Sequence, residues 1–98
     1  MIRYPMIRSF KDARTEIVFG GECPKGFPNQ ILKAARRKLK MVDAAVKLSD
    51  LRIPPNNRLE ALTRDRAGQH AIRINEQYRL CFRWTDRGPE DVEICDYH

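Results

Sequence analysis

The chain has 98 residues, 42% hydrophobic and 33% charged, with 19 Lys and Arg against 13 Asp and Glu, which describes one small basic domain and excludes two independent ones. Runs of apolar residues stop at three, as in Ile17-Val18-Phe19; this excludes a helical membrane span and the apolar segment of a signal peptide, so a cytoplasmic location is expected. The three cysteines, Cys23, Cys81 and Cys95, are odd in number and lack metal-site spacing, which suits reduced thiols, and no metal or cofactor is expected.

In chain order, Met-Ile-Arg occurs at positions 1–3 and again at 6–8. The domain is therefore read as residues 6–98, with 1–5 as an N-terminal extension. Residues 7–10 suit a short strand. Ser9 followed by Asp12 resembles a capping box that opens a helix ending at Gly20-Gly21. After a loop over 22–27, Pro28 fits the first turn of a second helix reaching about residue 48. In it, Ile31, Ala35, Leu39, Val42 and Val46 recur at helical spacing and must face a core. Lys33, Arg36, Arg37, Lys40 and Lys47 lie on the other side as a basic ridge.

Pro54-Pro55-Asn56-Asn57 breaks the chain, and the hydrophobic period then changes from 3.6 to 2. Four antiparallel strands are expected, over 58–62, 70–75, 78–85 and 91–97, giving an α+β fold. Side chains alternate across a strand, so the meander divides into two faces. Leu59, Ala61, Ile72, Ile74, Leu80, Phe82, Val92 and Ile94 form the face toward the helices, with Tyr78 and Trp84 packing near the strand ends and His70 at a strand edge. The opposite, open face collects Arg58, Glu60, Arg73, Arg79, Arg83, Glu93 and Tyr97, with Cys81 and Cys95 among them. Asp96 has core parity.

Residues 1–50 carry 11 basic and 5 acidic side chains, whereas 51–98 carry eight of each, all eight cations being arginine. Cross-strand Arg–Glu pairs are the structural reading of that second set. The chemical reading is that arginine forks match phosphate. Cleaving RNA without a metal needs a base for the 2′-hydroxyl proton, an acid for the leaving 5′-oxygen and cations for the charge building on phosphorus. The open face and the ending Asp96-Tyr97-His98 hold candidates for all three.

These residues, read in order, resemble the HigB-type toxins of the RelE superfamily. The resemblance is carried by residues 6–10 (Met-Ile-Arg-Ser-Phe), 58–62 (Arg-Leu-Glu-Ala-Leu), 65–70 (Asp-Arg-Ala-Gly-Gln-His), 72–75 (Ile-Arg-Ile-Asn), 78–82 (Tyr-Arg-Leu-Cys-Phe) and the ending from Val92 to His98. It implies two helices beside a curved antiparallel sheet, and a ribosome-dependent endoribonuclease that cuts translated mRNA. It also implies a helix-turn-helix, HigA-like antitoxin that neutralises the toxin and alone contacts operator DNA, and no membrane partner.

Carried over by position, Asp96, Tyr97 and His98 match the family's C-terminal active-site segment, and Arg79 matches its phosphate-binding arginine. Glu60 stands where the best-known members have histidine, so Glu60 and His98 are alternative general bases. Arg73, Arg83, Arg64, Arg66, Lys33, Arg36, Arg37 and Lys40 would bind RNA. Two other readings remain open on the same residues: a ParE-like toxin that binds gyrase without nuclease chemistry, and a non-catalytic RNA-binding module.

Overall fold

The computed structural model describes residues 6–96. Helix α1 (Ala13–Phe19) and helix α2 (Asn29–Ala44) are followed by short 3-10 turns and then by strands β1 (Glu60–Ala61), β2 (His70–Arg73), β3 (Tyr78–Thr85) and β4 (Gly88–Asp96). The strands form one antiparallel sheet in the order β1-β2-β3-β4. The α+β class, with two helices on a four-stranded meander, is the expected one.

The core follows the face assignment closely. Ile72, Leu80 and Ile94 stand in one row across three strands and are almost fully buried beneath Ile31, Ala35, Leu39 and Val42 of α2. Phe82 is buried as well, with Trp84 edge-on to it at 6.5 Å. Ala61 departs from expectation and is exposed, because β1 is only two residues long and lies at the sheet's outer edge.

The N-terminal segment makes a single parallel bridge, Phe10 to Val92, rather than a strand over 7–10. The cause lies in β4, where Asp91 and Val92 stand opposite the single β3 residue between Cys81 and Arg83 and Asp91 has φ 54°, so a bulge interrupts regular pairing. The edge of β4 is nonetheless satisfied. Arg8 N donates to Pro89 O, Val92 N to Ser9 O and Lys11 N to Val92 O, while the Ser9 hydroxyl accepts from Asp91 N. Further along, Thr15 Oγ1 accepts from Ile94 N at 3.0 Å and Arg14 donates to Ile94 O. With Ser9 committed to the strand, Asp12 caps α1 by accepting from Thr15 N at 2.8 Å. Helix α1 ends at Gly20, and Gly21 takes φ 99°, a region open to glycine at little cost.

Helix α2 ends at Ala44, four residues short of the expected limit, and Val46 is 47% exposed. The Asp50 carboxylate accepts from both Val46 N and Lys47 N, capping the 3-10 turn Leu48–Arg52 and drawing the chain out of the α-helix. The fully buried Asn57 then holds the break between the two halves. Its Nδ2 donates to Leu51 O and Ile53 O, and its Oδ1 accepts from Lys38 Nζ. Arg58 has φ 50°, so it stands outside the sheet and β1 starts two residues later than expected. At the other end of the first hairpin, Asn75 Oδ1 accepts from Gln77 N and Tyr78 N. That Asx turn ends β2 at Arg73 rather than at residue 75. Strand β4 begins earlier than expected, at Gly88, since Asp86-Arg87 alone make the turn.

Among the described residues, no helix is long and apolar enough to cross a membrane.

Candidate active site

The face away from the helices is not the open surface expected from parity alone. Its centre, Ala71, Cys81 and Cys95, is buried at 0, 2 and 9% exposure, with Leu62 packed against it. The cover is the 3-10 turn Arg64–Arg66 between β1 and β2. From that turn Arg66 reaches across the sheet to Glu93 at 3.2 Å and also donates to Gln69 Oε1. Glu93 pairs with Cys81 in the strand register, so the Arg66 side chain passes over the Cys81 thiol to reach it.

A second ion pair lies beside the first. Arg79 Nη1 on β3 stands 3.3 Å from Glu60 Oε1 on β1. Glu60 is opposite Ala71 on β2, and Ala71 is opposite Cys81, so Arg79 reaches diagonally over β2. The methyl group of Ala71 leaves room for its stem. Arg73 is the direct partner of Arg79, and two like charges in that relation repel. Arg79 turns inward to Glu60, while Arg73 lines a cleft at the sheet edge with Arg37, Lys38, Asn56, Ile74 and Asn75.

The two buried thiols act on each other's acidity. A hydrogen bond from Cys95 holds Cys81 below the ordinary thiol value, with Arg66 and Arg79 adding to that against the effect of burial. The same bond pushes Cys95 well up, as does its burial. All three cysteines are free thiols. Two guanidinium groups thus stand near the thiols, each paired with a carboxylate, Arg66 with Glu93 and Arg79 with Glu60.

The remaining candidates fall in three places. Arg83 lies against the turn at Gly68, where an added Cβ would come within 2.7 Å of its Nη1, and Arg64 is exposed on the covering turn. Lys33, Arg36, Arg37 and Lys40 line a groove of about 580 Å³ along α2, with Met41 and Ala44 at its apolar side. Of these, Arg36 is half-buried and donates to Val18 O, tying α2 to the end of α1. Asp96 sits exposed at the end of β4, opposite Tyr78, with Gln77 Nε2 donating to its Oδ2. Tyr97 and His98 lie outside the described residues.

Two groups took positions that the sequence reading did not give them. Lys38 is 6% exposed, though its spacing from Ile31, Ala35 and Val42 puts it on the apolar stripe, a signal present in the sequence. His70 has a buried Nδ1 without a hydrogen-bond partner and lines a cavity of about 350 Å³ with Glu60, Ser49 and Arg52; β1–β2 pairing brings Glu60 beside it, and the Leu48–Arg52 turn supplies the other two.

Residues 8–98 match the family of HigB-like toxins, the RelE-like toxins of type II toxin–antitoxin systems. The chain belongs to this HigB-type family. It is 52% identical over 59 residues to Toxin HigB-1 of Vibrio cholerae serotype O1, covering 60% of this chain and 62% of that toxin. It is also 38% identical over 66 residues to an uncharacterized protein of Haemophilus influenzae, covering 67% and 65% respectively. The chain thus spans less than two thirds of the length of either relative. The HigB-type match takes in both helices, the whole sheet and the covering turn, so the Arg79–Glu60 and Arg66–Glu93 pairs both lie inside it.

Proposed function

We propose that this HigB-type toxin is an endoribonuclease that cuts mRNA on the translating ribosome, using the sheet face that bears Glu60 and Arg79. The observation that carries the reading is the Arg79–Glu60 pair: a guanidinium and a carboxylate 3.3 Å apart on the sheet face away from the helices.

The reaction this supports is transesterification without a metal. The 2′-oxygen of one nucleotide attacks the adjacent phosphorus, its proton passing to a base, while the P–O5′ bond breaks and O5′ takes a proton from an acid. The products are a 2′,3′-cyclic phosphate and a 5′-hydroxyl. Glu60 and His98 are the two candidate bases, and if His98 is the base Glu60 positions it. Arg79 would stabilise the charge that builds on the phosphoryl oxygens, and Asp96 and Tyr97 would belong to the same site. Arg73 and Arg83 would bind the RNA strand around it, with Arg64, Arg66, Lys33, Arg36, Arg37 and Lys40 on ribosomal RNA. A helix-turn-helix, HigA-like antitoxin would neutralise the toxin and supply the contact with operator DNA.

Cleavage of mRNA on purified, programmed ribosomes tests the reading. Arg79→Ala, or removal of His98, should slow cutting on the order of 10²-fold or more, the effect of losing about 3 kcal/mol of transition-state stabilisation. Wild-type rates in both variants would show the site to be wrong. Intact mRNA together with double-strand DNA breaks in arrested cells would favour a gyrase-binding toxin instead.

A further inference from the structure

Lys38 is the buried cation that the proposed chemistry does not use. It points from α2 toward the break between the two halves, where Asn57 Oδ1 takes one of its three donors. Beside it lies a predominantly polar cleft of about 380 Å³ lined by Arg37, Lys38, Asn56, Arg73, Ile74 and Asn75. Among the described residues, three cations line this cleft and no acid does. Among the described residues, the ion pairs are Arg66–Glu93 and Arg79–Glu60, so no carboxylate pairs with Arg37, Lys38 or Arg73. A buried ammonium without a counter-charge is costly, and three cations in one cleft repel each other. An anion held there would offset both effects.

The chemistry of the lining selects the kind of anion. Arg37 and Arg73 offer planar forks of N–H donors, which suit phosphate oxygens. Lys38 adds a point charge, and Asn56 adds a side-chain amide. Asn75 has its oxygen on the amides of Gln77 and Tyr78, which leaves its NH2 as the donor it can offer. The position matters as much. Arg73 is the direct cross-strand neighbour of Arg79, so the cleft continues from the sheet face round the β2 edge.

We propose that this cleft is a second phosphate-binding subsite, formed by Arg37, Lys38, Arg73, Asn56 and Asn75, for a backbone phosphate of an RNA strand that flanks the bond held at Arg79. The assignment to RNA rests on the nuclease reading above; the anion site itself rests on the cleft. The lowered pKa of Lys38, due first to burial and then to Arg37, is consistent with a site that gains from a bound negative charge.

The test is binding of three probes to the full-length, 15N-labelled chain, followed by amide shifts: inorganic phosphate, a single-stranded 2′-O-methyl oligoribonucleotide, which has no 2′-hydroxyl to attack, and its uncharged methylphosphonate analogue. The charged oligonucleotide should shift the amides of residues 37, 38, 56 and 73–75, and the neutral analogue should not. Asn56→Asp places a carboxylate at the exposed rim without touching the core. It and Arg37→Ala should each weaken oligonucleotide binding about tenfold, and Arg37→Ala should make the salt slope shallower by about 0.7 for the lost phosphate contact. Shifts with inorganic phosphate but none with the oligonucleotide would overturn the RNA assignment. No shift with either probe, or unchanged affinity in both variants, would overturn the site. Loss of ribosomal mRNA cleavage with cleft binding intact would count against the nuclease reading alone, whereas cleavage without cleft binding would count against this subsite alone.

Discussion

Arg79 on the third strand reaches over the second strand to Glu60 on the first, with Nη1 3.3 Å from Oε1. The arginine side chain is 16% exposed and the glutamate 41%. An ion pair this open to water contributes about 0.2–1 kcal/mol to folding. Its value is therefore in placing a cation on the sheet face rather than in holding the sheet together.

This separation of roles gives the first expectation. Arg79→Ala should leave the unfolding free energy from urea denaturation within about 1 kcal/mol of wild type while reducing ribosomal mRNA cleavage on the order of 10²-fold. A large loss of stability instead would assign the arginine a structural role.

The ridge on α2 should act on association and not on the chemical step. Lys33→Ala and Lys40→Ala remove exposed charge from the groove along α2. Ribosome binding should weaken with a shallower dependence on salt, and the cleavage rate at saturating ribosome should not change. Equal salt slopes for wild type and the double variant would remove the ridge from the binding surface.

Thr15 is fully buried, and its hydroxyl accepts from the Ile94 amide on the edge of β4. Thr15→Val keeps the shape and leaves that amide unpaired, a loss of about 1–3 kcal/mol by urea denaturation. Thr15→Ser should recover most of it. Equal stability of the valine variant would mean that the edge of β4 is satisfied in another way.

Alkylation should distinguish access from acidity at the thiols. Cys23 is exposed, while Cys81 and Cys95 are buried. Although Cys81 is held below its ordinary value, a reagent must reach a thiolate to react with it. Iodoacetamide should add once to the native chain, at Cys23, and three times in denaturant, as read by mass spectrometry. Rapid native labelling of Cys81 would show that the covering turn opens readily.

Lys38 carries a pH signature. Burial, and then Arg37, lower its pKa in the folded chain below the ordinary value of 10.5. Between that lowered value and 10.5 the unfolded chain binds more protons, so the contribution of Lys38 makes stability rise with pH across this window. Lys38→Met lacks that contribution. The difference in unfolding free energy between wild type and variant should therefore move in favour of wild type as the pH approaches 10.5. A difference that is flat with pH would mean that Lys38 titrates alike in both states.

Much of the architecture is legible in the amino-acid order, because it depends on local periodicity. The change of period after Pro54-Pro55 separates helices from strands, and the alternation through Ile72, Leu80 and Ile94 marks the buried row before any contact is known. Errors fall where a side chain competes for the backbone. Asp50 ends α2 early, Asn75 ends β2 early, and Ser9 is taken by β4 so that Asp12 becomes the cap. Each involves a polar side chain whose partner is chosen by the fold.

Which residues share each face of the sheet follows from the amino-acid order, since alternation along a strand is a property of the backbone, and that order puts Glu60, Arg73 and Arg79 on one face. Which of those residues meet depends on the fold. The Arg64–Arg66 turn folds back over the polar face and buries Cys81 and Cys95. Arg79 takes Glu60 across a strand, and Arg73 is left to the cleft with Lys38. Those outcomes depend on pairing between segments distant in the chain, where burial and charge compensation act on whichever groups the fold brings within reach.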